Sequence, residues 1–439
     1  MSNNNHRLRP RERDAIIQSL RAGVTPHTGL QQIQVGRVRE IEAMLKDIDR
    51  VIDGGSAFRL IIGEFGSGKT FFLQLTRSMA LEKGLVTIHA DLSPDRRLHA
   101  TSGQARNLYA ELIRNISTRT KPDGNALTSV VERFIIEARK QANSLGAKVN
   151  TIIEDRLNHL CELVGGYDFA KVIAAYWKGY EEDNEQLLSD AVRWLRGEFA
   201  TKTDARNALG IRTIVNDAKV YDHLKLMSLF VRQAGYGGLL VILDEMVNVY
   251  KLSSQKSRIS NYEQILRILN DCLQGSAEHI GFLLGGTPDF LLDPRKGLYS
   301  YEALQSRLAE NTFARAAGVV DYSATTLHLA NLSPEELYIL LRNLRHVFAF
   351  GDTSKYLVPD EALTAFMAHC SKRIGDAYFR TPRNTIKAFV DLLAALEQST
   401  DIQWTQLIEQ VHVEKELNTD MPEIGAEDSE KDELATFQL

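Results

Sequence analysis

One glycine-rich segment of the sequence has the residue types and the spacing of a phosphate-binding loop. It reads GEFGSGKT, where two glycines separated by four residues precede a lysine and a threonine, and it fits the pattern G-x-x-x-x-G-K-[ST]. Glycines let backbone N–H groups converge on phosphates at a helix N-terminus, the lysine neutralises phosphate charge, and the threonine can bind Mg²⁺. We therefore predict that a nucleotide is bound by Gly63, Glu64, Phe65, Gly66, Ser67, Gly68, Lys69, Thr70 and Phe71.

A pair of acidic residues downstream could complete this site. Asp244 and Glu245 end the apolar run in LLVILDEM. A carboxylate at a strand end can hold hydrated Mg²⁺, and a second one can orient the water that attacks the γ-phosphate. Such a run alone is commonly a solvated strand end, but downstream of a phosphate-binding loop it favours catalysis. We predict an ATPase that forms ADP and phosphate, with Thr70 and Asp244 as Mg²⁺ ligands and with Glu245 and Lys69 as catalytic residues.

Short apolar runs predict the sheet that positions both motifs. The run FRLII precedes the glycine-rich loop, and similar runs rich in β-branched residues occupy 85–92, 237–249, 279–287 and 325–332. Helical patterns separate these runs, which favours a parallel sheet in an α/β fold. We expect a three-layer core with its ligand at the carboxyl ends of the strands.

Changes in sequence character predict the domain organisation. We expect an N-terminal helical arm, an α/β core in two pieces, a helical insertion between the pieces, a helical lid domain and a C-terminal segment with an acidic, disordered tail. Their bounds are 1–33 for the arm, 34–102 and 236–332 for the core, 103–235 for the insertion, 333–400 for the lid and 401–439 for the C-terminal segment. The tail is expected to be disordered because it has few large apolar residues.

The charge and cysteine content limit the classes of function. Nine acidic residues and two lysines from 414 to 439 give the tail a charge of −7, so the rest of the chain, within a total of −5, carries +2. This distribution neither requires nor excludes DNA contact. Cys161, Cys272 and Cys370 are far apart, which argues against a disulfide framework or a zinc site. Apolar runs are all shorter than a bilayer span, and the first residues lack a leader pattern, so we expect a cytoplasmic protein without membrane contact.

Together with these motifs, further segments resemble the AAA+ class of P-loop ATPases, in particular its origin-recognition and Cdc6-like branch. The segment QVGRVREI at 34–41 resembles the box that lies against adenine in that branch, which implies nucleotide contacts by Val35, Gly36 and Arg37. Thr287 follows the fourth predicted strand and takes the position of the polar residue that contacts the γ-phosphate or the attacking water. The alternative for Thr287 is an ordinary strand end.

Arginines near the end of the core and in the lid are candidates through the same resemblance. The segment SRL at 306–308 resembles the one that carries an arginine finger, which implies that Arg307 reaches the nucleotide of a neighbouring subunit. Arg315 is the competing candidate, and a surface arginine without a special role is the alternative for both. The segment RTPRN at 380–384 resembles the second sensor, where Arg383, or else Arg380, would reach over the phosphates. A finger supplied by a neighbour implies a homo-oligomer.

A closer resemblance is to the ATP-binding proteins encoded with BREX-type and related phage-defence systems. Its segments are RERDAIIQSLRAGVTP, GEFGSGKTFFL, RWLRGE and FRTPRNTIKAF, and the similarity covers roughly residues 10–400. This resemblance implies an ATPase that remodels or loads a partner, a DNA helicase, on DNA in defence against phage. The alternatives are a nucleotide-gated assembly switch without direct action on DNA and a scaffold that binds ATP without hydrolysis. Too few residues follow the lid for the winged-helix domain of the Cdc6-like initiators.

The segment RWLRGE contains a candidate for contact with nucleic acid. A base could stack on the indole of Trp194 between the cations of Arg193 and Arg196. The alternative is a tryptophan packed in a helical core with the arginines outside, and the surrounding helical pattern favours it. We therefore predict a structural role for Trp194.

Overall fold

A single parallel sheet lies at the centre of the computed structural model. The structure describes residues 8–399, 401–411 and 413, so the acidic tail after 413 lies outside the described residues. Within these ranges the strands are β1 Ser56–Ile62, β2 Val86–Asp91, β3 Leu239–Asp244, β4 Ile280–Gly286 and β5 Thr326–His328. Their order is β2-β3-β4-β1-β5, and all the pairs are parallel. The predicted α/β class with a parallel sheet is confirmed.

Helices precede, interrupt and follow the sheet. The first are α1 Pro10–Arg21, α2 Leu30–Ile33, α3 Val38–Ile52 and α4 Lys69–Glu82. Between β2 and β3 lie α5 Gln104–Arg114, α6 Leu127–Leu145, α7 Val149–Cys161, α8 Gly166–Glu181, α9 Glu185–Leu195, α10 Lys202–Leu209 and α11 Val220–Gln233. Around β4 and β5 lie α12 Val247–Tyr250, α13 Gln255–Gln274, α14 Pro288–Leu292, α15 Glu302–Leu308 and α16 Thr312–Ala316. The last are α17 Pro334–Phe348, α18 Asp360–Ile374, α19 Ala377–Arg380, α20 Arg383–Gln398 and α21 Trp404–Gln410.

Both faces of the sheet are covered by helices. Successive side chains of a strand point to opposite faces, so Leu60 and Val241 pack with the helices between β2 and β3, whereas Ile61 and Ile242 pack with α3 and α4. Every residue of β1, β3 and β4 is buried, which is typical of parallel strands between two helical layers. The middle of the sheet is therefore packed on both faces, and this packing fixes where the side chains at its carboxyl edge begin.

The helices between β2 and β3 share one hydrophobic core with the sheet. Trp194 is 1% exposed within that core. Its Nε1 donates a hydrogen bond to the Thr213 carbonyl at 2.8 Å, and its ring meets the edge of Phe169. The predicted structural role of Trp194 is confirmed, and its indole is not available for stacking on a base.

The first helix packs against the last helices. Ile16 and Ile17 of α1 belong to the core formed by α17, α18 and α20. Arg21 pairs with Asp391 of α20 at 2.8 Å, and the two side chains are about half exposed. The described part of residues 1–33 thus packs on α17, α18 and α20, the helices of the predicted lid. No helix among the described residues is apolar enough over a sufficient length to cross a bilayer.

Candidate nucleotide-binding site

The glycine-rich segment forms a tight loop between β1 and α4. Gly66 and Gly68 have φ angles of +76° and +84°, a region that glycine adopts without steric penalty. A Cβ atom at Gly63 would lie 2.4 Å from Oγ of Ser67, so a larger residue at that position would displace this side chain. Gly68 precedes the first residue of α4, and the first N–H groups of a helix have no partner within it. The loop can therefore present donors to an anion.

The lysine of this loop lies against the loop backbone. Nζ of Lys69 donates hydrogen bonds to the carbonyl oxygens of Gly63 and Glu64 at 2.8 and 2.9 Å. Among the described residues, the buried hydroxyl of Ser67 has no hydrogen-bond partner. Because an unsatisfied buried polar group is costly, this hydroxyl fits a site whose remaining partner is a ligand. The loop thus combines a cation with unused hydrogen-bonding capacity.

The sheet and α4 bring the two predicted metal ligands into contact. Oγ1 of Thr70 donates a hydrogen bond to Oδ2 of Asp244 at 2.7 Å. The other carboxylate oxygen accepts the backbone N–H of Glu245 at 2.9 Å. A hydroxyl and a carboxylate are hard oxygen ligands that suit Mg²⁺, which commonly takes one or two protein ligands, waters and substrate phosphates. In the part of the chain that the structure describes, no group of three or more His, Cys, Asp or Glu side chains could hold a metal. The donor set therefore fits Mg²⁺ shared with a phosphate ligand.

Glu245 follows β3 in an uncommon backbone conformation. Its φ angle is +56°, although it is not a glycine, and its side chain is exposed at the lining of the cleft. Positive φ angles in such residues carry strain and cluster at functional sites. The turn separates Glu245 from Asp244, so the two acids have different surroundings: Asp244 is buried and touches Thr70, whereas Glu245 is exposed.

Two residues near Asp244 were not found from the sequence. Asp91 ends β2 and is in register with Asp244 at the end of β3. Burial and the neighbouring charge of Asp244 raise the pKa of Asp91, while Arg96 acts in the opposite direction. The available signal in the sequence was an acid, Asp91, near the end of the apolar run at 85–92. The second residue is Gly285 of β4, where a Cβ atom would lie 2.4 Å from Oδ1 of Asp244.

An apolar wall closes one side of the cleft, and it was also missed. It is built by the end of α1 and the segment after it, by α2, by α17 and Leu332 before it, and by α20. Its apolar residues are Leu20, Val24, Pro26, Ile33, Leu332, Leu340, Leu344 and Ile386. A flat apolar base would be compatible with such a wall, since ligand pockets are mostly apolar with a few polar groups. These residues are far apart in the sequence, and no local motif identifies them.

The box at 34–41 is placed next to the loop. Val35 and Arg37 line the cleft, whereas Gly36 does not and lies against Glu336. The guanidinium of Arg37 donates hydrogen bonds to the carbonyl oxygens of Ser67 and Ala330. Burial lowers the pKa of Arg37, and the charges of Glu40 and Glu336 oppose this effect. Arg37 thus ties the box to the phosphate-binding loop.

The remaining candidates of the cleft lie on the side of the sheet edge and the lid. Thr287 lines the cleft, and its Oγ1 also caps α14 by accepting the N–H of Phe290 at 3.4 Å. Phe71 lines the cleft as well and packs partly against the lid core. Arg383 begins α20, lines the cleft and lies 5.3 Å from the ring centre of Phe65.

Three arginines are placed elsewhere. Arg380 pairs with Asp376 at 3.3 Å and is not among the residues that line the cleft. Arg307 and Arg315 also lie outside the cleft, and both are exposed. The structure therefore brings Arg383, rather than Arg380, to the predicted phosphate site, and it brings neither finger candidate to the site of its own chain.

Comparison with models of protein families assigns most of the chain to a family. The model of the family described as BREX system ATP-binding protein BrxC/D matches residues 8–412. The match includes every residue that lines the cleft. A search of curated proteins gave no match.

Proposed function

Because this chain belongs to the family of BREX system ATP-binding proteins BrxC/D, we propose that it hydrolyses ATP as an AAA+ ATPase of the origin-recognition and Cdc6-like branch. The single observation that carries this proposal is the 2.7 Å contact between Thr70 and Asp244 beside the phosphate-binding loop. The exposed acid that follows, Glu245, lines the same cleft and supports hydrolysis in addition to binding. ATP is bound between the sheet edge and the lid.

The residues of the cleft divide the chemistry among them. The loop N–H groups and Lys69 bind the β- and γ-phosphates, and Thr70 and Asp244 hold Mg²⁺. When bound, Mg²⁺ neutralises charge that develops on the phosphates. Glu245 orients the attacking water and accepts its proton, a role that contributes about 10²–10⁴-fold to a rate. Thr287 contacts the γ-phosphate or that water.

The lid and a second subunit complete the reaction. Arg383 reaches over the phosphates from the beginning of α20, since it already lines the cleft. An arginine of a neighbouring subunit, Arg307 or Arg315, supplies the remaining positive charge, because both are exposed and lie outside the cleft of their own chain. The protein therefore acts as a homo-oligomer. Its cycle remodels or loads a partner, a DNA helicase, on DNA in anti-phage defence.

The test is the steady-state ATPase rate without DNA, with single-stranded DNA and with duplex DNA at one fixed salt concentration, since phosphate contacts depend on salt. Glu245→Gln is the control: it should bind ATP with wild-type affinity and lose about 10²-fold or more of the rate. Stimulation by DNA supports direct action on nucleic acid. Measurable hydrolysis without any DNA response favours the nucleotide-gated assembly switch, and an unchanged rate in Glu245→Gln contradicts the catalytic role of this residue.

A further inference from the structure

A second cleft opens on the helices between β2 and β3, and we call it the arginine cleft. It has a volume of about 380 Å³, which is within the range of about 300–1,000 Å³ that is usual for small-molecule sites. It lies between α6, α8 and α9, and both arginines of the segment RWLRGE, Arg193 and Arg196, line it. Among the described residues, none lines both this cleft and the nucleotide cleft described above. The arginine cleft is therefore separate from the candidate ATP site.

The lining of the arginine cleft can donate hydrogen bonds to an anion. It includes three residues with hydroxyl groups, one from each helix: Thr128 of α6, Tyr176 of α8 and Ser189 of α9. Burial raises the pKa of Tyr176 to about 12, and the charges of Glu132 and Tyr180 act in the same direction, so this hydroxyl keeps its proton at neutral pH. Within the described part of the chain, no acidic residue lines the cleft. Donors and positive charge without a carboxylate suit a negatively charged ligand.

Arg193 is held at the arginine cleft by its neighbours. Its NH1 donates to Oδ1 of Asp190 at 3.0 Å, and its guanidinium carbon lies 4.8 Å from the ring centre of Phe199. The side chain of Asp190 is buried, and its other oxygen accepts a hydrogen bond from Nε2 of Gln186 at 2.9 Å. Because a guanidinium carries five N–H donors, the bond to Asp190 leaves others for a ligand. Holding the group in place lowers the entropy cost of binding.

Arg196 has unused hydrogen-bonding capacity. Its Nε is buried, and among the described residues it has no hydrogen-bond partner. Oε1 of Glu198 lies 3.9 Å from NH1 of Arg196, which is beyond the length of a hydrogen bond. The C-terminal end of α9 stabilises a nearby cation, but this effect does not satisfy the buried Nε. Since an unsatisfied buried donor is costly, the surroundings of Arg196 favour a site that a ligand completes.

The residue types of the arginine cleft favour a phosphate group over a carboxylate. Two guanidinium groups and three hydroxyls offer more donors than the two oxygens of one carboxylate can accept, whereas a phosphate group has more oxygens. The planar fork of an arginine also matches phosphate geometry. Leu188 and Val192 line the same cleft, so the organic part of a phosphorylated molecule would find apolar contacts beside the two arginines.

The connection between α8 and α9 limits the size of the ligand. It carries four exposed acidic residues: Glu181, Glu182, Asp183 and Glu185. Ser189 of the cleft is four residues, or about 6 Å along the helix axis, from Glu185. These carboxylates repel the successive phosphates of a nucleic-acid strand, whereas a compact ligand occupies only the cleft. The charge distribution therefore favours a small molecule over nucleic acid.

We propose that the arginine cleft binds a small ligand through its phosphate group, with Arg193 and Arg196 as the cations that hold this group. The site is a second anion site of the chain. It does not depend on the proposed function, because its residues belong to the helices between β2 and β3 and not to the nucleotide cleft.

Calorimetric titration of the full chain with pyrophosphate, in a phosphate-free buffer at one ionic strength, tests this site. The parent protein carries Lys69→Ala, which weakens binding at the phosphate-binding loop. Addition of Arg196→Gln should lower the affinity for pyrophosphate by about tenfold or more, because hydrogen bonds to a charged group are lost. The matched control is Arg206→Gln, since Arg206 is an exposed arginine of α10 that does not line the cleft. It should bind pyrophosphate like the parent.

A second variant keeps the test valid if Arg196→Gln disturbs folding. Ser189 is exposed, so Ser189→Glu adds a carboxylate to the cleft without removing a buried contact, and it should lower the affinity for pyrophosphate as well. Ser144→Glu is its control, because Ser144 is exposed on α6 outside the cleft. Melting temperatures show whether each variant is folded. A parent that binds no pyrophosphate, or folded Arg196→Gln and Ser189→Glu variants with the affinity of the parent, would overturn the inference.

Two further probes distinguish the sources of the phosphate group. Binding of AMP that depends on Arg196 and is tighter than that of pyrophosphate supports a phosphorylated organic molecule as the ligand. Binding of AMP no tighter than that of pyrophosphate supports a free anion. Binding of a single-stranded oligothymidylate that is tighter than both and depends on Arg196 would overturn the assignment to a small ligand in favour of nucleic acid.

Discussion

Replacing Gly285 with alanine should impair Mg²⁺-dependent ATP binding through a displacement of Asp244. A Cβ atom at Gly285 would lie 2.4 Å from Oδ1 of Asp244 and 2.9 Å from Cδ1 of Leu73. Both distances are shorter than a Cβ atom tolerates, so the neighbours must move. The backbone of Gly285 does not have a positive φ angle, and alanine therefore adds no strain of its own there. We therefore expect the hydrogen bond from Thr70 to Asp244 to be displaced or broken.

The magnitude follows from comparing two glycines of the same strand. At Gly281, also in β4 and buried, a Cβ atom would lie 2.9 Å from Cδ1 of Leu240 and 3.3 Å from Cγ2 of Val51. Overpacking of this kind costs about 1–3 kcal/mol of stability at either position. Only the change at Gly285 disturbs Asp244, the proposed Mg²⁺ ligand, and loss of the partners that orient metal ligands lowers metal affinity by about 10–100-fold. We expect that factor in the affinity for Mg²⁺·ATP.

Calorimetric titration of ATP with Mg²⁺ and with a chelator, together with urea unfolding, measures the two effects separately. Gly285→Ala and Gly281→Ala should lose similar free energies of unfolding, and Gly285→Ala alone should lose Mg²⁺-dependent affinity. Wild-type affinity in Gly285→Ala would refute the displacement of Asp244. Equal losses of affinity in the two variants would also refute it, because the cause would then be general damage to the core.

Three further changes test the loop, the core and the response to pH. Lys69→Ala should lower ATP affinity by about 10–150-fold in the same titration, because a charged hydrogen bond contributes about 1.5–3 kcal/mol; unchanged affinity argues against the loop assignment. Asp47→Ala leaves the buried guanidinium of Arg59 without its carboxylate and should cost about 3–5 kcal/mol in urea unfolding, so a loss well below that range is the contrary result. Burial lowers the pKa of His223 from 6.5 to about 4, so the unfolded chain binds more protons and stability falls as pH falls through this range. That loss should be about 2 kcal/mol from pH 7 to pH 5, and His223→Gln should reduce the slope; an unchanged slope excludes His223 as its source.

The sheet could be predicted because its signal is local. Each strand is a short apolar run between a turn and a helical pattern, and parallel strands buried on both faces are nearly continuous in hydrophobicity. The order of the strands in the sheet could not be predicted in this way. It depends on which runs pair, and the register of Asp91 with Asp244 was therefore visible only in the structure.

In the candidate site, too, the residues that lie close together in the sequence could be predicted, whereas those that only folding brings together could not. The residues from Gly63 to Thr70 are contiguous, and Asp244 and Glu245 adjoin each other, so spacing and residue type were sufficient to select them. The apolar wall has no such pattern, because it joins the segment after α1 to α17 and α20. Gly285 is informative only through its distance from Asp244. Such contacts arise when elements pack, and periodicity does not encode them.

The two finger candidates could not be separated by sequence for a physical reason. Arg307 and Arg315 are eight residues apart, and each is the second-last residue of a short helix. The structure distinguishes them by their contacts. Nε of Arg307 donates a hydrogen bond to Oδ1 of Asn270 in α13, whereas Arg315 lies in a segment whose apolar side chains, such as Phe313, are exposed. An aromatic residue in a run such as TFARAAGVV favours a buried position from its type alone.

The N-terminal helix α1 packs into the same hydrophobic core as the C-terminal helices, although the sequence suggests two separate units. From the sequence, residues 1–33 are separate from the predicted lid because 299 residues, 34–332, lie between them. In the structure Ile16 and Ile17 fill the lid core, and the Cδ of Arg383 lies 3.4 Å from where a Cβ of Gly23 would be. Any displacement of α20 therefore moves the cleft wall and Arg383 together. Gly23 and Arg383 both line the cleft, so the beginning of the described chain contributes directly to the wall of the site.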